Sequence, residues 1–282
     1  MKIKINHSLL DYQLEIIYIY LFVIGCCIGS FINVVIHRLP LNKSIVYPNS
    51  SCPICKAKIK WFDNVPILSW FLLKGKCRSC KTKIAFSYPI IELCTAILLC
   101  LNLYAQPTIY SQQPIYITLL LGSIFSTTLF TLAILDFKYF WLPRILTLGG
   151  LVLGITASLY VDLINDFYQF NYLIYTLLAS FFGFALFYLL SIVGKKIFNK
   201  PVIGGGDAKL GALIGSWLGI QGLFISIWLA FISSGIVVIL GLIFKKIKRN
   251  QKIPFGVFLS MSGFLVWYFG NEIFLKIIFF KI

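Results

Sequence analysis

Acids are scarce in this chain: nine Asp and Glu in 282 residues, against 25 Lys and Arg. Charged residues of either sign make up 12%, about half the share of an ordinary soluble domain, while apolar residues reach 59%. That balance excludes a water-soluble globular domain. It points to a polytopic membrane protein whose core packs helix against helix and against lipid. The positive excess does not indicate nucleic acid, because the lysines sit in loops between apolar runs, where membrane topology accounts for them. Histidine is nearly missing, and neither His7 nor His37 is placed as a metal ligand.

What is present is a series of apolar runs. A spanning helix needs roughly 20 mostly apolar residues. Runs near 16–36, 88–104, 115–135, 145–161, 171–194, 208–220, 222–244 and 257–279 predict an all-α membrane protein of about eight transmembrane helices. The stretch from Ala208 to Phe244 is too long for one span, and Gly219-Ile220-Gln221-Gly222 supplies the turn that divides it. The sixth helix is then short. The organisation expected is an N-terminal segment with the first span (1–36), a cytoplasmic four-cysteine loop domain (37–87), and the remaining spans (88–282). Val23-Ile24-Gly25-Cys26 resembles a lipoprotein cleavage box, but Asp11 and Glu15 precede it and the apolar run continues to Ile36, so an uncleaved span is expected. Cys26, Cys27, Cys94 and Cys100 lie inside spans as small packing residues.

Basic residues then fix the sides. Of the 25 Lys and Arg, 21 fall in loop 37–87 or after the third, fifth and seventh spans, while loops 105–114 and 162–170 hold none. The positive-inside rule makes the basic side cytoplasmic and both termini external.

Cys52-x-x-Cys55 and Cys77-x-x-Cys80 form the second signal. Each pair sets two sulfurs on one tight turn, and two such turns close a tetrahedron around zinc. Four thiolates leave no open position, so the zinc is structural. Two disulfides are the alternative, disfavoured on a reducing cytoplasmic side. The loop is too poor in apolar core to fold alone, and a metal would supply the missing stability.

Asp136 ends the run Leu132-Ala133-Ile134-Leu135-Asp136, and Asp207 follows Gly204-Gly205-Gly206. By the charge pattern both stand at cytoplasmic helix ends. Carboxylates at the edge of lipid are costly and functional by default. Two that meet titrate as a pair: the charged member takes a proton from water and the neutral one donates to a carbonyl oxygen. The preceding glycines let backbone approach a substrate strand or a partner helix. Blander roles stand beside this one: Asp207 as a helix cap, Asp136 paired with Lys138. Glu92, just after Tyr88-Pro89, is a third acid, expected to pair with a basic residue of the loop.

Several of these elements, in order, resemble the bacterial type IV prepilin peptidases, bifunctional leader peptidase/N-methyltransferases. They are Gly29-Ser30-Phe31-Ile32-Asn33-Val34-Val35-Ile36-His37-Arg38-Leu39-Pro40, Ser51-Cys52-Pro53-Ile54-Cys55, Trp61-Phe62-Asp63-Asn64-Val65-Pro66, Gly75-Lys76-Cys77-Arg78-Ser79-Cys80, Tyr88-Pro89-Ile90-Ile91-Glu92, Asp136 seven residues before Pro143, and Gly204-Gly205-Gly206-Asp207 for Gly-x-Gly-Asp. The resemblance implies an intramembrane aspartic peptidase with Asp136 and Asp207 as its dyad. It implies removal of the basic leader of type IV prepilins and type II secretion pseudopilins on the cytoplasmic face of the inner membrane. Methylation of the new N-terminus by S-adenosylmethionine follows. The four cysteines become the zinc-type site of the large loop. Lys138 and Arg144 stand where family members often carry further aspartates, which leaves Asp136 the one candidate in its segment. No glycine-rich fingerprint marks a methyl-donor site. A proton-coupled carrier would show inverted repeats and acids at mid-membrane, and the chain shows neither. A non-enzymatic zinc-bearing subunit of a pilus or secretion assembly would tolerate loss of both aspartates.

Overall fold

The structure, a computed structural model, describes residues 7–165, 171–199, 204–248 and 251–278. Among these it is all-helical apart from two isolated β-bridges. Six helices are long and apolar enough to cross a membrane, or seven if one bent pair counts as a span, so the chain is a multi-pass membrane protein. It divides into two compact units, Met1–Leu101 and Asn102–Ile282.

The first unit holds α1 (His7–Arg38), the short α2 (Leu68–Leu72) and α3 (Ser87–Leu101). Gly25 and Gly29, one turn apart on α1, lie against the backbone of Ala96 and Glu92 on α3. A Cβ at Gly29 would stand 2.6 Å from the Glu92 Cα. This is the small-xxx-small contact by which membrane helices gain close packing where burial from water gives no drive. The His37 ring stacks on Tyr88 at 5.2 Å, and the buried Asn33 amide donates to the Tyr88 carbonyl at 3.2 Å. Between residues 39 and 86 only Cys52 and Gly75 are buried, so this segment lacks a core of its own, as its composition predicts.

The second unit holds α4 (Ile115–Tyr139), α5 (Arg144–Asn165), α6 (Asn171–Phe198), α7 (Gly205–Ile243), α8 (Phe255–Phe269) and α9 (Asn271–Ile278). Its centre is aromatic: Phe125, Trp217 and Trp267 are fully buried and within 6 Å of one another, with Tyr110 packed on Trp267. Small residues again set the close approaches. Gly211 and Gly215 of α7 meet Gly183 and Ala179 of α6 in antiparallel register, and Trp217 donates to the carbonyl of Gly150 on α5 at 2.8 Å.

The count is short of the eight expected spans because α7 runs 39 residues as two helices joined at Gly219, whose φ of 66° and ψ of −174° are non-helical. The division expected at Gly219 is present as a reversal: before it Ile214 and Trp217 meet Gly263 and Trp267 of α8, and after it Gly222 and Phe231 meet Val266 and Phe255, the opposite order. The last run is also broken: α8 stops at Gly270 and α9 leaves at 103°. Gly270 has φ of 74°, a conformation that favours glycine.

Candidate functional site

Four acids are buried among the described residues: Glu92, Asp136, Asp162 and Asp207. Their hydrogen bonds separate them. Asp162 accepts from Tyr172 N–H at 3.2 Å and Leu173 N–H at 2.7 Å, so it caps the first turn of α6. Glu92 accepts from Ile67 N–H at 2.7 Å, a backbone partner where a basic side chain was expected. Ile67 centres a tight turn with φ of 61° and ψ of −58°, closed by Leu68 N–H to the Pro66 carbonyl. A β-branched residue in that conformation is strained, and the buried carboxylate holds it there.

Asp136 and Asp207 are the pair that remains. Asp136 lies in the last turn of α4, where Phe140 adopts a left-handed conformation and donates to the Asp136 carbonyl at 2.9 Å. Asp207 is the third residue of α7, and its Oδ2 accepts from Gly204 N–H at 3.1 Å. That is half of a capping box; Gly204 has no side chain to complete the other half. The capping role is therefore real, and it coexists with proximity to the partner acid. The two aspartates lie close enough to act on each other electrostatically. Among the described residues the one ion pair joins Arg78 and Asp63, so Asp136 is not paired with Lys138.

A third helix end completes the surroundings. Amides of Gly256 and Val257, in the first turn of α8, interact with the Asp136 carboxylate. Its Oδ2 nonetheless has no hydrogen-bond partner of good geometry. Leu142 lies between Gly206, whose Cβ would stand 2.9 Å from it, and Gly256, whose Cβ would stand 3.2 Å from it. Gly205 faces open space and is exposed, leaving backbone accessible beside Asp207. One buried carboxylate with a spare oxygen beside another is the arrangement that can share a proton and activate water. Sequence reasoning missed Leu142, Gly256 and Val257. Pro254-Phe255-Gly256 at the start of the last run was the available signal, a proline and a glycine at a helix start.

The cysteines converge in the first unit. The Sγ atoms of Cys52, Cys55, Cys77 and Cys80 all lie within 4.8 Å of one another, and all four are free thiols. Cys52 and Cys80 sulfurs are 3.8 Å apart, and zinc bonded to four thiolates at its usual distance spaces them by about 3.8 Å. The two turns are copies of each other. Cys52 N–H bonds the Ala57 carbonyl and Lys56 N–H the Cys52 carbonyl; Cys77 with Thr82 and Lys81 with Cys77 repeat this. Lys56 and Lys81 share a φ of 59°, and bridges Ser51–Lys58 and Lys76–Lys83 flank the two turns. The Thr82 hydroxyl, 3.1 Å from Cys80 Sγ, pulls that thiol down to about 6. Amides of Cys55 and Ile54 lower Cys52. At Cys55 the Ala57 amide pulls the same way, but desolvation and the neighbouring thiols push it up to about 11. Four sulfurs so crowded ionise together only around a cation, so the site fits a metal. Arg78, inside the second turn, grips Asp63 with two nitrogens and ties the turn to residues 61–64.

Comparison with known proteins agrees with both units. Residues 23–106 match the bacterial peptidase A24 N-terminal domain, and residues 123–240 match the type IV leader peptidase family. Proteins named prepilin leader peptidase/N-methyltransferase are similar along most of the chain. The one from Myxococcus xanthus is 36% identical over 76% of this chain and 59% of its own length. That from Neisseria gonorrhoeae is 32% identical over 87% of this chain and 88% of its own. That from Pseudomonas aeruginosa is 30% identical over 89% of each. No solved structure matches the chain. With both family domains matched in order and relatives aligned nearly end to end, this chain belongs to the type IV leader peptidase family.

Proposed function

We propose that this protein cleaves the basic leader from type IV prepilins and type II secretion pseudopilins and then methylates the new N-terminus. What supports the peptidase reading is the nearness of Asp136 and Asp207, two buried acids from distant helix ends, with Leu142 packed both on Gly206 beside Asp207 and on Gly256 against Asp136. The ionised member of the pair takes a proton from water as the oxygen attacks the scissile carbonyl. The protonated member donates to the carbonyl oxygen; as the C–N bond breaks, the aspartate that took the water proton gives it to the leaving amine and the other takes back the hydroxyl proton as the carbonyl re-forms. Gly204 and Gly205, exposed beside Asp207, leave room for the extended substrate backbone at the pair.

The loop domain, 37–87, is proposed to hold one structural zinc on Cys52, Cys55, Cys77 and Cys80, supplying rigidity and no chemistry of its own. S-adenosylmethionine is the proposed methyl donor, on the strength of what the relatives are named for. The loop and the dyad are placed on the cytoplasmic face of the inner membrane, supported by the 21 of 25 basic residues on that side.

The test is cleavage of a purified prepilin in liposomes by wild type, Asp136→Asn and Asp207→Asn, with the product N-terminus weighed by mass spectrometry. Both variants are expected to insert normally and to cleave nothing, and the wild-type product is expected to carry one methyl group. Undiminished cleavage by either variant would remove that residue from the dyad. An unmethylated product would remove the second activity.

A further inference from the structure

We propose that Gly256 is a positioning residue of the peptidase site: by lacking a side chain it lets the first turn of α8 lie on the Asp136 carboxylate and aim it at Asp207. This rests on the dyad reading above.

Helix α8 lies along α4 in antiparallel register. Gly256 meets Asp136, Gly263 meets Leu129, and Trp267 lies against Gly122. The contact is closest at the Asp136 end. A Cβ on Gly256 would stand 2.8 Å from Asp136 Oδ2 and 3.1 Å from its Cγ. No side chain fits there unless the carboxylate moves, and the carboxylate has little room. It is buried, and Leu142 fills the space between Gly256 and Gly206. Gly206 immediately precedes Asp207, so one leucine is in contact with the backbones beside both aspartates.

The first turn of α8 is itself fixed. Pro254 caps it, and the Phe255 ring packs on Phe187 of α6 at 5.9 Å and Phe231 of α7 at 5.1 Å. The first amides of a helix have no intrahelical acceptor and favour a negative group. Here amides of Gly256 and Val257 face Asp136. Oδ2 of Asp136 has no hydrogen-bond partner among the described residues and is aimed at Gly256. The oxygen that touches Gly256 is wholly buried, so a methyl group there pushes the whole carboxylate aside. Moving it would misplace the reacting atom, and a displacement of about 1 Å costs on the order of 100-fold in rate.

Gly256→Ala tests this, because alanine is the better helix former and adds one methyl group where the carboxylate lies. Gly263→Ala is the control. It adds the same group to the same helix at 3.2–3.3 Å from the tips of Ile214 and Leu129, side-chain ends that can yield. On a purified prepilin, Gly256→Ala is expected to lower kcat about 100-fold with KM within about threefold, and to displace the pH profile of kcat/KM, because the spacing of the carboxylates sets their joint titration. Trp267 fluorescence and the melting temperature are expected to stay at wild-type values. Gly263→Ala is expected to keep kcat and the profile. Wild-type kcat in Gly256→Ala, or an equal loss in Gly263→Ala, would overturn the proposal. Should Gly256→Ala fail to assemble, Leu142→Ala decides, since it adds no atom. A kcat loss with an altered pH profile at unchanged KM supports the positioning role, and wild-type behaviour overturns it. An inert wild type would sink the peptidase reading itself and this role with it, whereas active wild type beside inert Asp136→Asn leaves Gly256 to be judged alone.

Discussion

At the scale of single residues, hydrogen-bond partners separate acids that share burial. Asp162 has two amides and Glu92 has one at 2.7 Å, while Asp136 keeps an oxygen unpaired. The sequence picks out Asp136 and Asp207 because each interrupts an apolar run at its end. Glu92 follows the same rule, and its true partner was not legible. A backbone amide leaves no mark in a sequence, and the left-handed Ile67 that presents it is a residue nobody would place there. Glu92→Ala is expected to destabilise the first unit by about 1–3 kcal/mol, the usual cost of stranding a buried donor. The strained turn should relax and open residues 61–72 to protease. Glu92→Gln keeps an acceptor oxygen and should retain most of the stability. Thermal unfolding and limited proteolysis check both, and a wild-type digestion pattern in Glu92→Ala would show that the amide does not depend on the carboxylate.

At the scale of elements, the length of the apolar runs placed the helices, and glycine marked the break at Gly219, whereas the break at Gly270 falls inside the run read as 257–279. Gly219 was legible as a turn because glycine follows and precedes polar interruption in a run too long for one span. What was not legible is that the helix resumes at once, a matter of one backbone conformation. That conformation, φ of 66° and ψ of −174°, is essentially glycine's alone. Gly219→Ala is expected to cost about 1–3 kcal/mol, read as a lowered melting temperature, and an unchanged one would mean that alanine holds the reversal without strain. The four-cysteine element was legible from spacing, and its doubled turn geometry follows from the repeated Cys-x-x-Cys-Lys pattern. Cys80→Ser should abolish bound zinc, measured by elemental analysis, and leave residues 39–86 open to protease. Retained zinc at full occupancy would mean that three sulfurs suffice. The Arg78 clamp adds a pH dependence. Its hydrogen bonds hold the Asp63 carboxyl below the usual range. A depressed folded value contributes stability above the unfolded pKa, near about 4, and loses it as pH falls through the folded value. Protease resistance of the loop should therefore be flat from neutrality to about pH 5, then fall. Thiolate protonation releases metal in acid as well, so Asp63→Asn supplies the difference. It should be weaker at neutral pH and converge with wild type in acid. Parallel curves would mean the ion pair is too exposed to matter, as surface pairs often are.

At the scale of the whole molecule, charge is the organising variable. Only 12% of the chain is charged, and the basic part of it is gathered on one set of loops, so the few acids inside are singled out by contrast. A prepilin presents its basic leader to the cytoplasm, and cleaving groups must stand on that side. The ends of α4 and α7 that carry Asp136 and Asp207 also carry Lys138 and Lys209, and Arg144 opens α5, whereas the segment 105–114 has no cation. Orientation and chemistry therefore stand or fall together. An alkaline phosphatase fused after residue 112 should be active, because the enzyme folds outside the cytoplasm, and one fused after residue 74 should be inactive. A fluorescent protein that matures in the cytoplasm should give the reverse. The same asymmetry bears on substrate capture. A basic face would repel a basic leader, so on the proposed reading capture is expected to come from packing the pilin helix between spans, with the lysines expected to hold anionic lipid at about 1 kcal/mol per charge near the surface. Leader binding should then vary little with salt, or rise as screening weakens the repulsion. Reversing loop lysines to glutamate should tighten it while loosening the loop from anionic vesicles. Binding that falls steeply with salt would mean that acidic groups attract the leader. A phosphatase active after residue 74 would put the dyad on the wrong side of the membrane for its substrate.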